Sequence, residues 1–230
     1  MARSRGAVFL PHGSALPRRG RIIQAKFRVM LSAHGIACVR GERRLFADLD
    51  LEICPGEWVH VRGENGTGKT SLLRILVGLS QPAAGEVRWQ GEAIQDCRDS
   101  FHGDTLFLGH HGAVKEELTA LENLQFDAAL DGGRLDERAC LAVLHQFGLL
   151  GRESFPVRYL SAGQKRRVLL SRLLTRRAKL WVLDEPFTAL DTRAVAALTK
   201  LIADHTAAGG MAVLTSHQDI PLDGGRTITL

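Results

Sequence analysis

The chain is poor in the features that would mark several functional classes. Its four cysteines, Cys38, Cys54, Cys97 and Cys140, lie far apart, with no CxxC pair and no histidine at zinc spacing. A disulfide framework and the common structural zinc sites are therefore excluded, leaving four reduced thiols. No run approaches the roughly 18–20 uninterrupted apolar residues that cross a bilayer, so a membrane role would have to come from a partner. No internal repeat is visible. Acidic residues are missing from positions 1–29, which carry Arg3, Arg5, Arg18, Arg19, Arg21, Lys26 and Arg28. The remaining residues hold 23 basic against 25 acidic side chains, so the net charge of +5 is a property of the tail. A near-neutral body argues against nucleic acid as a partner. The tail has the composition of a disordered segment and lacks the continuous apolar stretch of a secretory signal. It reads as a disordered basic tail or as sequence upstream of a true start at Met30.

What is present describes one globular unit. The 230 residues are 45% apolar with a mean hydropathy of −0.03, enough for one domain carrying a modest insertion. Leu49-Asp50-Leu51-Glu52-Ile53 alternates as a half-buried strand does. Pro55-Gly56 makes a turn, and residues 58–61 form a short strand running into a glycine-rich loop. Leu72, Leu73, Ile75, Leu76 and Leu79 then recur at helical spacing, and Gly78 and Pro82 end that helix. Strands follow at 86–90 and 106–108, and two helical patterns within 119–150 are broken by Asp131-Gly132-Gly133. A helix over 163–176, a buried strand over 180–183, a helix over 192–208 and a final strand over 211–215 complete the pattern. The fold class is α/β, interrupted by a helical insert at about 112–165.

The loop Gly63-Glu64-Asn65-Gly66-Thr67-Gly68-Lys69-Thr70 fits G-x-x-x-x-G-K-[ST]. Glycines let successive N–H groups turn inward on phosphate oxygens, and the next helix adds its positive end. Lys69 supplies a mobile charge to the β- and γ-phosphates, Thr70 a hydroxyl for Mg²⁺, and Ser71 a donor for the α-phosphate. The motif alone leaves kinases, GTPases and other NTPases open. Leu180-Trp181-Val182-Leu183-Asp184-Glu185 is an apolar strand ending in two carboxylates. Asp184 can hold the metal through a bound water, and Glu185 can polarise the attacking water as general base. The plainer account is a strand ending in a solvated acidic pair. Leu160-Ser161-Ala162-Gly163-Gln164 opens a helix, where Ser161 serves either as an N-cap or, with the Gly163 N–H, as a second anion site.

Taken together, these motifs resemble the ABC ATPase family: P-loop, signature, apolar-DE strand, the turn Ala189-Leu190-Asp191, then His217 after the last strand. The resemblance covers most of residues 36–217. It implies a P-loop NTPase of ABC type, with a RecA-like core, an antiparallel β subdomain and an inserted helical subdomain. It also implies ATP and Mg²⁺ as cofactors, and a head-to-tail dimer in which each signature completes the partner's site. Ser161 and Gly163 would then act in trans, Asp191 would couple the two sites, and His217 would contact the γ-phosphate and orient the water.

Two positions depart from the general family pattern. Arg40 stands where an aromatic residue usually stacks on adenine. A guanidinium plane can stack on a purine, and the alternative is an exposed arginine with adenine held loosely. His110, with His111 beside it, stands where a glutamine usually senses Mg²⁺. These departures, with Trp89-Gln90-Gly91, Gly109-His110-His111 and Ser161-Ala162-Gly163-Gln164-Lys165-Arg166-Arg167, resemble the ATP-binding subunits of cytochrome c biogenesis exporters. That narrower resemblance implies a peripheral subunit on the cytoplasmic face of the inner membrane. Its partner would be an integral channel subunit (CcmB-like), and its duty haem export or release of haem from a chaperone. The alternatives are an ABC ATPase for another small-molecule cargo and a non-transport ABC protein.

Overall fold

The computed structural model describes residues 29–109, 114–217 and 219–230. The expectations for the basic tail up to residue 28, and for His110 and His111, therefore fall outside the described residues.

Two sheets organise the rest. An antiparallel sheet has the order β2-β1-β4-β5, from β1 (Leu31–Arg40), β2 (Arg43–Ile53), β4 (Ala84–Trp89) and the short β5 (Glu92–Ala93). A parallel sheet has the order β6-β7-β8-β3-β9, from β3 (Trp58–Arg62), β6 (Thr105–Leu108), β7 (Leu180–Leu183), β8 (Met211–Thr215) and β9 (Arg226–Thr229). The expected alternation at 49–53 holds: Leu51 and Ile53 are buried while Asp50 and Glu52 are exposed.

Alternation also sorts the cores. In β7, Leu180 and Val182 face the cluster shared with helix α1 (Lys69–Leu76) and the antiparallel sheet. Trp181 and Leu183 face the opposite cluster, under α5 (Ala162–Thr175) and α6 (Thr192–Ala207). All four residues of β7 are buried, as a central parallel strand requires. A third cluster fills the helical insert, from α3 (Ala120–Leu130), α4 (Glu137–Gln146) and the 3-10 turn Val157–Tyr159. Helix α5 joins both: Val168 packs into the insert, while Leu169, Leu170 and Leu173 pack under the parallel sheet. The insert's boundary helix is thus also a core helix.

Helix starts follow local chemistry. Thr119 opens α3 with a reciprocal box, its hydroxyl accepting from the Glu122 N–H while the Glu122 carboxylate accepts from the Thr119 N–H. Asp136 caps α4 through the Ala139 N–H. Such caps are each worth about 1 kcal/mol.

Among the described residues, the sequence reading missed β1, β5, β9, the short helix α2 (Arg98–Asp104) and the 3-10 turn Val157–Tyr159. Strand β1 breaks register between Ala33 and Ile36, around Gly35, which disrupts its period. Helix α2 buries one residue, Phe101, and so carries no apolar stripe. Met211–Thr215 is not the final strand, because β9 adds an edge to β3 with largely exposed side chains.

Candidate active site

In the parallel sheet, β3, β6, β7 and β8 end at one edge, the usual place for ligand chemistry in such folds. From β3 the chain enters the glycine-rich loop. Gly63, Gly66 and Gly68 take φ values of 152°, 81° and 111°, the left-handed conformations that turn N–H groups into a concave nest. Gly68 precedes α1 with no side chain capping the helix. A Cβ there would stand 3.0 Å from the Phe46 ring and 3.2 Å from Leu45, so both backbone and space demand glycine. Lys69 is almost entirely buried, and its Nζ donates to the carbonyls of Gly63 at 2.7 Å and Glu64 at 3.2 Å. These are the loop's own oxygens, which a lysine can exchange for phosphate oxygens.

The end of β7 faces that loop. Asp184, 1% exposed, accepts from the Thr70 hydroxyl at 2.8 Å and from the Thr215 hydroxyl at 2.7 Å. Thr215 in turn accepts the Glu185 N–H at 2.8 Å. Glu185 sits at φ 50°, a left-handed conformation that costs a non-glycine residue about 1–3 kcal/mol and persists only where its surroundings enforce it. One carboxylate oxygen, Oε1, is buried with no hydrogen-bond partner among the described residues, and the Nε2 of half-exposed His217 stands 3.4 Å away. An underused carboxylate at a strained position is poised to accept a proton or a water.

On β3, which pairs with β8, the buried His60 ring meets through Nε2 the Ser216 carbonyl at 3.2 Å, next to His217. Burial holds the His60 pKa below its ordinary value. The neutral ring therefore donates, as an Nε2–H tautomer, to that carbonyl.

One cleft of about 410 Å³ gathers Arg40, Asn65, Gly66, Gly68, Lys69, Thr70, Ser71, Asp184, Glu185 and His217. Gly63 joins through its carbonyl on Lys69. The structure does not bring Ser161, Gly163 and Asp191 to this cleft. Ser161 lines a different surface with Arg152, Phe155 and Tyr159. There it caps α5 reciprocally: its hydroxyl accepts from the Gln164 N–H at 3.3 Å, and the Gln164 side chain accepts from its N–H at 2.9 Å. Gly163 meets the turn after β7, where an added Cβ would be 2.8 Å from the Ala189 carbonyl oxygen. Asp191 caps α6 by accepting from the Ala194 N–H at 2.8 Å, and it pairs with Arg167 at 2.5 Å. The Ala194 N–H, foremost, holds its carboxyl below the usual range.

Residues 46–188 match the family described as ABC transporter. The chain belongs to that family. Two curated relatives narrow the group. A cytochrome c biogenesis ATP-binding export protein of Dechloromonas aromatica is 52% identical over 196 residues, covering 85% of this chain and 96% of its own. Another so named, from Salmonella paratyphi A, is 54% identical over 192 residues, covering 84% and 91%. Among solved structures, a dimeric ATP-binding cassette in a post-hydrolysis state with ADP and Pi superposes with a TM-score of 0.73 at 24% identity. That match covers 82% of this chain and 88% of the other, and it shows the shared fold. The chain is an ABC-type ATPase of the cytochrome c biogenesis export group.

Two residues of this ABC ATPase went unread in the sequence. Thr215 bridges Asp184 and the Glu185 backbone. Its signal was a hydroxyl ending an apolar strand, a pattern too common to single out. Arg166 is the second, and here a signal existed. It lies three, four and seven residues before Leu169, Leu170 and Leu173, on the buried face of α5, where a cation needs partners.

Proposed function

We propose that this chain binds ATP with Mg²⁺ in the cleft at the carboxyl edge of β3, β7 and β8 and hydrolyses it in a head-to-tail dimer. The hydrolysis would energise haem export, or release of haem from a chaperone, during c-type cytochrome biogenesis. The observation that carries the chemistry is the convergence of Lys69, the Thr70–Asp184 pair and the Glu185–His217 pair on one cleft.

The donor set fits a small hard cation. The Thr70 hydroxyl and the Asp184 carboxylate, 2.8 Å apart, are the residues that would hold Mg²⁺, and oxygen donors supplemented by phosphate oxygens are its preferred environment. When bound, Mg²⁺ neutralises phosphate charge. The Lys69 ammonium adds a second positive charge, and the loop N–H groups receive the remaining phosphate oxygens. Glu185 accepts a proton from the attacking water through Oε1, which takes no hydrogen bond among the described residues, and His217 orients that water and the γ-phosphate. Arg40, at the exposed end of β1 and on the cleft wall, stacks on adenine.

Support for the dimer comes from what the cleft lacks: Ser161 opens onto another face of the same subunit. A phosphate contact from Ser161 therefore requires a second copy. Lys69→Ala and Ser161→Arg proteins, each inactive alone, should recover ATPase activity when mixed, because one intact composite site forms. No recovery would overturn the trans arrangement.

No helix among the described residues is long and apolar enough to cross a membrane. Association with the cytoplasmic face of the inner membrane then runs through an integral channel subunit, the CcmB-like partner. The relatives' names support the biogenesis role. Deleting the gene should remove covalently bound haem from c-type cytochromes. Normal c-type cytochromes in the deletion strain would sink the haem reading and leave the ATPase chemistry standing.

A further inference from the structure

Arg166 is one of three consecutive cations on α5, yet only 9% of its surface is exposed. Its guanidinium is spent on backbone. The Nη2 group donates to the carbonyls of Asp184 at 2.9 Å and Glu185 at 2.7 Å, Nε to Pro186 at 3.4 Å, and Nη1 to Gly109 at 3.4 Å. No carboxylate touches it within salt-bridge range among the described residues, so four carbonyl dipoles, with the Asp184 and Glu185 charges farther off, balance its charge. A buried cation arranged this way fixes geometry and adds little net stability.

The partners are the informative part. Two of the carbonyls belong to the carboxylate pair, and a third belongs to Pro186, immediately after it. The fourth, on Gly109, ends the segment leaving β6 towards the helical insert. Arg166 itself sits five residues after Ser161, just over one turn into the signature helix. The left-handed turn at Glu185 is therefore pinned from one side by Thr215, through its N–H, and from the other by Arg166, through its carbonyl.

We propose that Arg166 is a positioning residue that ties the signature helix of a subunit to the Glu185 turn of the same subunit. Placement of the general base thereby depends on where that helix lies. Each signature helix thereby helps to hold the carboxylate of its own subunit. This inference rests on the dimeric reading above, and the test separates the two.

The assay uses mixed dimers holding one working site. One subunit, with intact Lys69 and Glu185, supplies the cleft; the other carries Lys69→Ala and supplies the signature. Arg166→Gln is placed on either side. On the cleft-supplying subunit it should lower kcat about tenfold or more, with the KM for ATP changed less than about twofold. On the signature-supplying subunit it should leave kcat within about twofold. Loss of kcat only in the second arrangement, or equal loss in both, would overturn the proposal.

Failure of the mixed Lys69→Ala and Ser161→Arg dimers to recover would indict the dimer instead. Homogeneous Arg166→Gln protein then decides: a fall in kcat at constant KM supports the positioning role, and a changed melting temperature with unchanged kcat refutes it. Arg166→Lys, which can reach some of the four carbonyls, should restore part of the lost kcat. No restoration beyond the Arg166→Gln level would count against a role in holding this turn.

Discussion

The two halves of the nucleotide machinery differ in how much of their hydrogen bonding is already complete. At the edge of β3, β7 and β8, groups are left with unfinished business. Lys69 rests on the loop's own carbonyls, and one Glu185 oxygen is buried with no hydrogen-bond partner among the described residues. At the start of α5 and the turn after β7 the side chains are occupied. Ser161 is half of a capping box, Gly163 accommodates the Ala189 carbonyl, and Asp191 caps α6 and pairs with Arg167. The first half is prepared for a ligand within one chain. The second is ordinary helix chemistry that gains a ligand role only when another subunit presents one.

The largest expected effect breaks the first half. Glu185→Gln keeps the side chain's size but removes its ability to take a proton, so turnover should fall about 10²–10⁴-fold while ATP binding survives. Steady-state ATPase rates beside fluorescent-nucleotide titration provide the check. A fall of less than tenfold would move the base elsewhere.

The second half can be divided by a substitution that separates capping from phosphate contact. Ser161→Asp retains an N-cap acceptor, so the melting temperature should hold, with stability changed by less than about 0.5 kcal/mol. It also places a negative charge where the proposed trans site receives a γ-phosphate, so ATPase activity should drop about tenfold or more. Retained activity with retained stability would reduce Ser161 to a helix cap. Gly163→Ala tests the opposite balance. Its methyl meets the Ala189 carbonyl at 2.8 Å, so strain of about 1–3 kcal/mol should lower the melting temperature even in the monomer. An unchanged melting temperature would show that the turn after β7 yields freely.

This asymmetry also explains what could be read from sequence. Residues 63–70 and the strand Leu180–Leu183 with its carboxylates were legible because their function is built from local spacing: glycines at turns, a buried run, then charge. Strand β7 and strand β8 fell on their expected residues, since nearly every side chain in them is buried and apolar. The role of Arg166 was not read, because its partners lie 18 to 57 residues away and are backbone carbonyls that carry no residue identity. Strand β9 was missed because an edge strand with exposed Arg226 and Thr227 has little periodic burial to betray it. Local chemistry was readable; contacts made by backbone across the fold were not.

The smallest expected effect concerns pH and involves two buried histidines on one face of the parallel sheet. Burial lowers the pKa of His60, beneath the His217 loop, and of His205, whose ring stacks on Trp181 at 3.7 Å between centroids. Both rings are held neutral in the fold, while in the unfolded chain each titrates near 6.5. The unfolded state therefore binds more protons below that pH, and stability falls as pH drops from about 6.5 towards the lowered folded values. Above 6.5 neither ring contributes a slope. Because His205 is only partly buried, solvent moderates the penalty, and the loss between pH 7 and pH 5.5 should stay within about 2–4 °C of melting temperature. His205→Phe keeps an aromatic ring against Trp181 but cannot be protonated, so it should flatten part of this acid slope. It also surrenders the contact to the Met211 carbonyl, which lowers stability equally at all pH values. The change in slope is thus the diagnostic quantity, read from melting curves of wild type and variant across pH 5.5–7.5. Parallel curves would place the acid sensitivity on His60, whose ring pairs with the Ser216 carbonyl next to His217.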